Sequence, residues 1–298
     1  NVAIGYSELK GSTASNWTNP NNAIGYTAHT ENTTGAYNTA IGQNALAANT
    51  TGSASVAIGT FALQNSTTGS NSAVGYNALA TCTTCGSNAA FGNSALATLS
   101  NGQDNTAFGN SSQQLGTTAG SNASFGYASL LTNKTGTNNT ALGNDSMRYL
   151  NNATSSVAIG SGALAGVSGD LATNYNNVAI GYRAGYIMGT GANNNTLIGY
   201  QAGNALTTGA NNIVLGYDID APSNTASNQL TIGNLIYGTG LDGTDTTVST
   251  GSIGIGTTTP SARFAVTGAG VGTGRLVSFA NSSNVESFSL LDNGAFRL

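Results

Sequence analysis

Residues 38–42 read Asn-Thr-Ala-Ile-Gly. The word returns as Asn88-Ala-Ala-Phe-Gly92, Asn105-Thr-Ala-Phe-Gly109, Asn122-Ala-Ser-Phe-Gly126 and Asn139-Thr-Ala-Leu-Gly143. Its glycine marks a column running Gly5, Gly25, Gly42, Gly59, Gly75, Gly92, Gly109, Gly126, Gly143, Gly160, Gly181, Gly199, Gly216 and Gly233. From Gly25 to Gly160 the spacing is 17 residues, with a single interval of 16. Intervals of 20, 21 and 18 outside that block place loop insertions, including 11–20 and 168–175. Self-similarity at a fixed short period is the signature of a repeat architecture, in which each unit is completed by its neighbours.

Alignment on the glycine assigns each column a role. The residue before it is always apolar: Ile4, Ile24, Ile41, Ile58, Val74, Phe91, Phe108, Phe125, Leu142, Ile159, Ile180, Ile198, Leu215 and Ile232. Asn stands four before it in eleven of fourteen copies, including Asn38, Asn71, Asn88, Asn105, Asn122, Asn139, Asn177, Asn195 and Asn212; Ser55, Ser156 and Gln229 replace it elsewhere. Ala is usual two before it, and pairs such as Ala45-Leu46 and Ala62-Leu63 follow it; Thr-Thr-Gly often closes the unit. Asn-Thr-Ala-Ile-Gly alternates with the period of a strand, so Ile points one way and Ala and Gly the other. The unit is expected to form two short strands and two turns, because dense Gly, Asn and Thr disfavour helix.

Fourteen coils stacked at about 4.8 Å span about 62 Å over their thirteen intervals. Like residues then sit above one another, and stacked Asn amides satisfy each other. The apolar residue before the glycine is expected to be the core ladder, so that Ile41→Asp or Ile58→Asp would collapse local stacking. One such residue and one Leu per 17 is a meagre core. The flat Ala/Gly face is therefore expected to pack three rolls about a common axis; the pattern is also compatible with a homodimer or a single roll.

Composition narrows the function. Only 6% of the 298 residues are charged, the formal net charge is −4, and 42 residues are Gly. Seven Lys and Arg form no basic patch, which argues against nucleic acid as a partner. No run of 18 apolar residues is present, so no membrane insertion by this segment is expected. The chain opens at Asn1 without Met or signal peptide and ends at Leu298 on a strand-like stretch, which reads as part of a longer protein.

The words Asn-Thr-Ala-Ile-Gly and Asn177-Val-Ala-Ile-Gly181 resemble the head repeats of YadA-type trimeric autotransporter adhesins. They are closer still to the Asn/Thr-rich variants in bacterial surface proteins and phage-type tail fibres. The resemblance covers about residues 1–235 and is carried by repetition. It implies a homotrimer of left-handed parallel β-rolls, although adhesin heads typically have coils shorter than 17 residues. Beyond the repeat, Ser252–Val266 resembles the connector before the terminal region of fibre proteins. Strands are expected over 275–281, 285–291 and 295–298, with a hairpin turn at Asp292-Asn293-Gly294. The fold expected is thus an all-β solenoid over 1–235 followed by a β-rich neck or stalk over 236–298.

Few residues carry candidate chemistry. His29, the sole histidine, stands in the column occupied elsewhere by Leu and reads as a solvated loop-edge imidazole; without a second His it makes no zinc site. Asp218/Asp220 and Asp242/Asp245 are the close acidic pairs, better read as solvated turns than as Ca²⁺ loops. No cofactor and no enzymatic activity are expected. Cys82 and Cys85 occupy the Thr-Thr-Gly turn and read as a turn-stapling disulfide, with an interchain bridge or free thiols as alternatives. A disulfide agrees with an oxidising, extracellular setting. Seven of twelve tyrosines follow the repeat glycine, among them Tyr76, Tyr127, Tyr182, Tyr200 and Tyr217. They read either as coil-edge covers or as contacts for a glycan or protein receptor. Sequons at Asn16, Asn32, Asn49, Asn133 and Asn152 permit glycosylation. The expected role is a structural fibre at a bacterial cell surface, with a tail fibre or a polymerising extracellular filament as alternatives.

Overall fold

The computed structural model describes residues 1–9, 20–168, 173–268, 275–280, 286–291, 294 and 296–297, and among them it contains no helix. Each repeat contributes one strand. β1 to β14 are Val2–Tyr6, Asn21–Tyr26, Asn38–Ile41, Val56–Ile58, Ser72–Val74, Ala89–Phe91, Thr106–Phe108, Ala123–Phe125, Thr140–Leu142, Val157–Ile159, Val178–Ile180, Thr196–Ile198, Ile213–Leu215 and Leu230–Ile232. Successive strands pair parallel and in register, so Ala40 lies on Ala57 and Ile41 on Ile58, and Phe91, Phe108 and Phe125 form one file. The protein is therefore a parallel β-solenoid of about 13 turns.

The second strand expected in each coil is replaced by hydrogen-bonded turns. Ala62 N donates to Gly59 O (3.2 Å), turning the chain after the strand, and Ser66 N donates to Leu63 O (3.1 Å). The turns also climb from coil to coil: Leu46 N donates to Ala62 O (3.1 Å), Leu63 N to Ala78 O (3.0 Å) and Leu79 N to Ala95 O (3.0 Å). Extended φ/ψ is not available there, because Leu46, Leu63, Leu79, Leu96, Leu130 and Leu164 carry φ between +48° and +53°. A bulky residue in that region costs on the order of 1–2 kcal/mol. Burial of a Leu side chain returns about 1.5–3 kcal/mol, and each of these six is fully buried.

The glycine column is needed for two reasons. Its φ values from Gly5 to Gly216 lie between +127° and +150°, a region essentially closed to other residues. A Cβ on Gly42 would also lie 2.7 Å from the carbonyl carbon and oxygen of Gly59 in the next coil. Glycine stacks on glycine because nothing larger fits between adjacent coils.

The faces of the strand are the reverse of the sequence expectation. The Ala residues two before the glycine (Ala23, Ala40, Ala57, Ala73, Ala90, Ala107, Ala141, Ala158 and Ala179) are fully buried and fill the coil with the Leu column. The apolar column before the glycine stands outside. Ile4, Ile24, Ile41, Ile58, Phe108, Phe125, Leu142, Ile180, Ile198 and Ile232 are exposed, Phe108 and Leu142 by 47% each. Val74, Phe91, Ile159 and Leu215 are half-buried. These fourteen residues are thus not the core of the coil, and Ile41→Asp or Ile58→Asp places no charge inside it.

The physical reason is the width of the coil, as coil 12 shows. There Leu197 replaces the inward Ala, and the residues facing it from the Leu column are Gly185 and Gly203. A Cβ at these glycines would lie 2.7 Å and 2.8 Å from the Leu197 methyls. Between them, the strand and the Leu column have room for one large side chain per rung. In most coils the turn supplies it, and the strand contributes only Ala.

The buried apolar residues form two clusters, one from Ala23 to Ala107 and one from Leu130 to Ile219. Between them lie Ser112, Gln113, Ser124 and Ser129, all fully buried; Ser112 Oγ is 2.7 Å from Ser124 Oγ and 3.1 Å from Ser129 Oγ. Beyond β14 the parallel stacking ends. β15 (Ile236–Thr239) pairs antiparallel with β14, β16 (Ser252–Ile255) antiparallel with β15, and β17 (Phe264–Val266) parallel with β16. A separate antiparallel sheet contains β18 (Arg275–Ala280), β19 (Glu286–Leu291) and β20 (Phe296–Arg297), close to the expected strands. Of the expected hairpin turn, Asp292 and Asn293 lie outside the described residues.

Candidate functional site

The polar ladder is buried and fully engaged. Asn38, Asn71, Asn88, Asn105, Asn122, Asn139, Asn177, Asn195 and Asn212 are at most 3% exposed. Asn105 shows the pattern: its Nδ2 donates to Asn88 Oδ1 (3.0 Å) and across the coil to Ala119 O (2.9 Å). Its Oδ1 accepts from the amide (3.2 Å) and Nδ2 (3.1 Å) of Asn122. Ser55, Ser156 and Gln229 keep the backbone link, each donating its amide to the Asn below at 2.9–3.0 Å. This column is structural.

Cys82 and Cys85 form a disulfide with Cα atoms 5.6 Å apart. In other coils the same turn is held by a reciprocal pair. Gly52 N donates to Asn49 Oδ1 (2.8 Å) while Asn49 Nδ2 donates to Gly52 O (3.1 Å), and Asn133 and Gly136 repeat it at 3.0 and 3.1 Å. The disulfide is a covalent version of this clasp. It follows that Asn32, Asn49 and Asn133, buried and bonded in these turns, are not accessible as sequons. Asn152 is half-buried and accepts a bond from Thr135 Oγ1; Asn16 lies outside the described residues.

His29 is not solvated. It is fully buried, with φ +52° like the Leu residues of its column. Its Nε2 lies 3.4 Å from Asn49 Nδ2, its Nδ1 has no partner among the described residues, and burial lowers its pKa to about 4. One acid of each pair accepts hydrogen bonds. Asp220 Oδ1 accepts from Ala205 N (3.0 Å). Asp242 accepts from the amide and hydroxyl of Thr250, which hold its carboxyl below the usual range. Among the described residues no three of His, Cys, Asp and Glu cluster as a metal site would need.

Two surface features remain. The first is the outward apolar file on β1–β14, with Phe91, Phe108 and Phe125 stacked at 4.6 and 5.9 Å between ring centroids. The second is aromatic and charged. Tyr76, Tyr127, Tyr182, Tyr200 and Tyr217 are all exposed at the corner after the glycine; Tyr182, Tyr200 and Tyr217 stack at 5.3 and 5.0 Å. Beside Tyr182 opens a groove of about 140 Å³ across coils 9, 10 and 11. Coil 9 supplies Asp145, Arg148 and Tyr149; coil 11 supplies Tyr182, Arg183 and Tyr186. Arg148 Nη1 donates to Asp145 Oδ1 at 2.8 Å, and its guanidinium lies 5.0 Å from the Tyr149 ring. The Arg183 guanidinium lies 5.3 Å from Tyr182 and 4.7 Å from Tyr186. The two arginines are 35 positions apart in sequence, so their convergence needed the coil register and was missed by inspection of single motifs. No family model, curated protein or solved structure matches the chain.

Proposed function

We propose that the chain is a non-enzymatic segment of an extracellular bacterial fibre, a shaft whose work is reach and adhesion and which assembles with further copies of itself as a homotrimer. The supporting observation is the outward apolar file. Ten of its fourteen residues are exposed on one parallel sheet, stacked in register from coil to coil. Large contiguous apolar patches on soluble proteins mark interaction surfaces. A periodic, uncharged stripe suits another copy of the same stripe, because register then matches at every coil. The Cys82–Cys85 disulfide agrees with an oxidising location, and the repeat words resemble those of trimeric adhesin heads.

Sedimentation velocity of the chain and of an Ile41→Asp/Phe108→Asp variant tests this reading. The expected result is an elongated trimer for the parent and a monomer for the variant, with β-type circular dichroism unchanged. A monomeric parent, or a variant that assembles like the parent, would contradict it.

A further inference from the structure

Coil 10 interrupts the surface. Where its neighbours carry large side chains, it carries Ser161, Gly162 and Ala165. Backbone bonds fix the order of the layers: Tyr149 N donates to Ala165 O (2.8 Å) and Gly166 N to Tyr186 O (3.0 Å). Tyr149 and Tyr186 therefore stand in coils 9 and 11, with a layer of small residues between them. Coils repeat at about 4.8 Å, so the two flanking coils are about 9.6 Å apart. The Tyr186 ring leans from coil 11 over this layer, 3.3 Å from where a Cβ on Gly162 would stand, and lines the groove together with Tyr149.

The charges in this slot are specific. Arg148 is neutralised by Asp145, leaving that pair to exchange hydrogen bonds with hydroxyls. The Arg183 guanidinium lies near the Tyr182 and Tyr186 rings and has no carboxylate partner among the described residues. Its in-plane N–H donors are presented as a fork, the geometry that recognises a carboxylate in bidentate fashion. The cavity of about 140 Å³ is close to the ~150 Å³ that holds one six-membered ring. The parts are held on backbone bonded from coil to coil, so they are organised before a ligand arrives.

We propose that this slot binds a carboxylated sugar unit of an acidic glycan. The pyranose ring packs in the groove against Tyr149 and Tyr186, its carboxylate on Arg183 and its hydroxyls on the Asp145–Arg148 pair. A carboxylate-bearing ring uses the aromatic walls, the fork and the neutral ion pair together; a bare anion uses only the fork. Gly162 lets the Arg183 stem and the Tyr186 ring lie close over coil 10 beside the groove. A Cβ there would lie 3.2 Å from Arg183 Cγ and 3.3 Å from Tyr186 Cε2. Other coils accept Asn at this position with similar φ, +56° at Asn44 and +60° at Asn77 against +69° at Gly162. Gly162→Asn therefore displaces Arg183 and Tyr186 from the groove without a new backbone strain.

This proposal rests on the slot alone and stands apart from the oligomeric state. Isothermal titration of the 298-residue chain with a glucuronate-terminated disaccharide, its glucose-terminated counterpart and inorganic phosphate provides the test. The acidic disaccharide is expected to bind at least about tenfold more tightly than the neutral one, a difference of about 1.4 kcal/mol, with phosphate a poor competitor. Arg183→Gln should cost about tenfold or more and Gly162→Asn should abolish binding, both with parental melting curves. Tyr37→Ala, distant in coil 3, should bind as the parent does. Equal binding of the neutral disaccharide, phosphate competing as well as the sugar acid, undiminished binding by Arg183→Gln, or no binding at millimolar sugar would each overturn it.

Discussion

Single residues decide which columns tolerate change. Asn105 bonds to the coils on both sides and across its own coil. Removing its amide leaves the Asn122 amide and Ala119 carbonyl unpaired, at about 1–3 kcal/mol per stranded group. Asn105→Ala should therefore lower stability by about 3 kcal/mol in chemical denaturation, whereas Asn105→Ser, which copies Ser55 and Ser156, should lose markedly less. Equal losses would contradict the role given to this column. His29 adds a pH dependence. Its folded pKa of about 4 lies below the ordinary 6.5, so as pH falls below about 6.5 the unfolded chain takes up a proton that the folded coil refuses. Stability should decline from pH 6.5 to about 4 and level off below, a loss of about 3 kcal/mol at most. Thermal melts of His29→Leu should lack that decline; a variant that keeps it would contradict the assignment. The Leu column was legible around His29. Its solvated reading failed because column position carries burial with it, whatever the residue's polarity.

At the scale of the element, the sequence specified the alternation but not which face was inside. Period two divides a strand into two faces and is silent on which of them a narrow coil can enclose. Ile and Phe seemed the natural interior. The coil is too thin for them once Leu reaches in from the turn, and φ near +50° for Leu is not what its side chain would lead one to expect. For the same reason the second strand was over-read, its backbone being committed to turns. The one-large-residue rule is open to a double-mutant cycle. Leu197→Ala should cost about 2–5 kcal/mol, and Gly203→Leu should be destabilising through its clash with Leu197. The double variant, which restores the Ala/Leu arrangement of other coils, should recover about 1–3 kcal/mol relative to additivity. Additive losses by denaturant melts would show that the two columns do not share space.

At the scale of the whole molecule, the repeat length, the stacking and the stacked Asn column were readable from spacing, and the Cys82–Cys85 clasp was the favoured of three readings; the burial of the Asn column came from the structure. The groove was not readable, because it depends on Arg148, Gly162 and Arg183 meeting across three coils. Nor was the division of the core at Ser112, Gln113, Ser124 and Ser129, where each polar substitution is innocuous in its own repeat and only stacking brings them together. Everything at this scale follows from regular stacking of like on like. Spin labels at Tyr26, Tyr127 and Tyr217, all in one exposed column, measure it directly. Tyr26 and Tyr127 are six coils apart, and Tyr26 and Tyr217 eleven, so pulsed electron resonance on labelled chains diluted with unlabelled ones should give about 29 Å and about 53 Å. Distances that fail to grow in proportion to the number of intervening coils would contradict the solenoid.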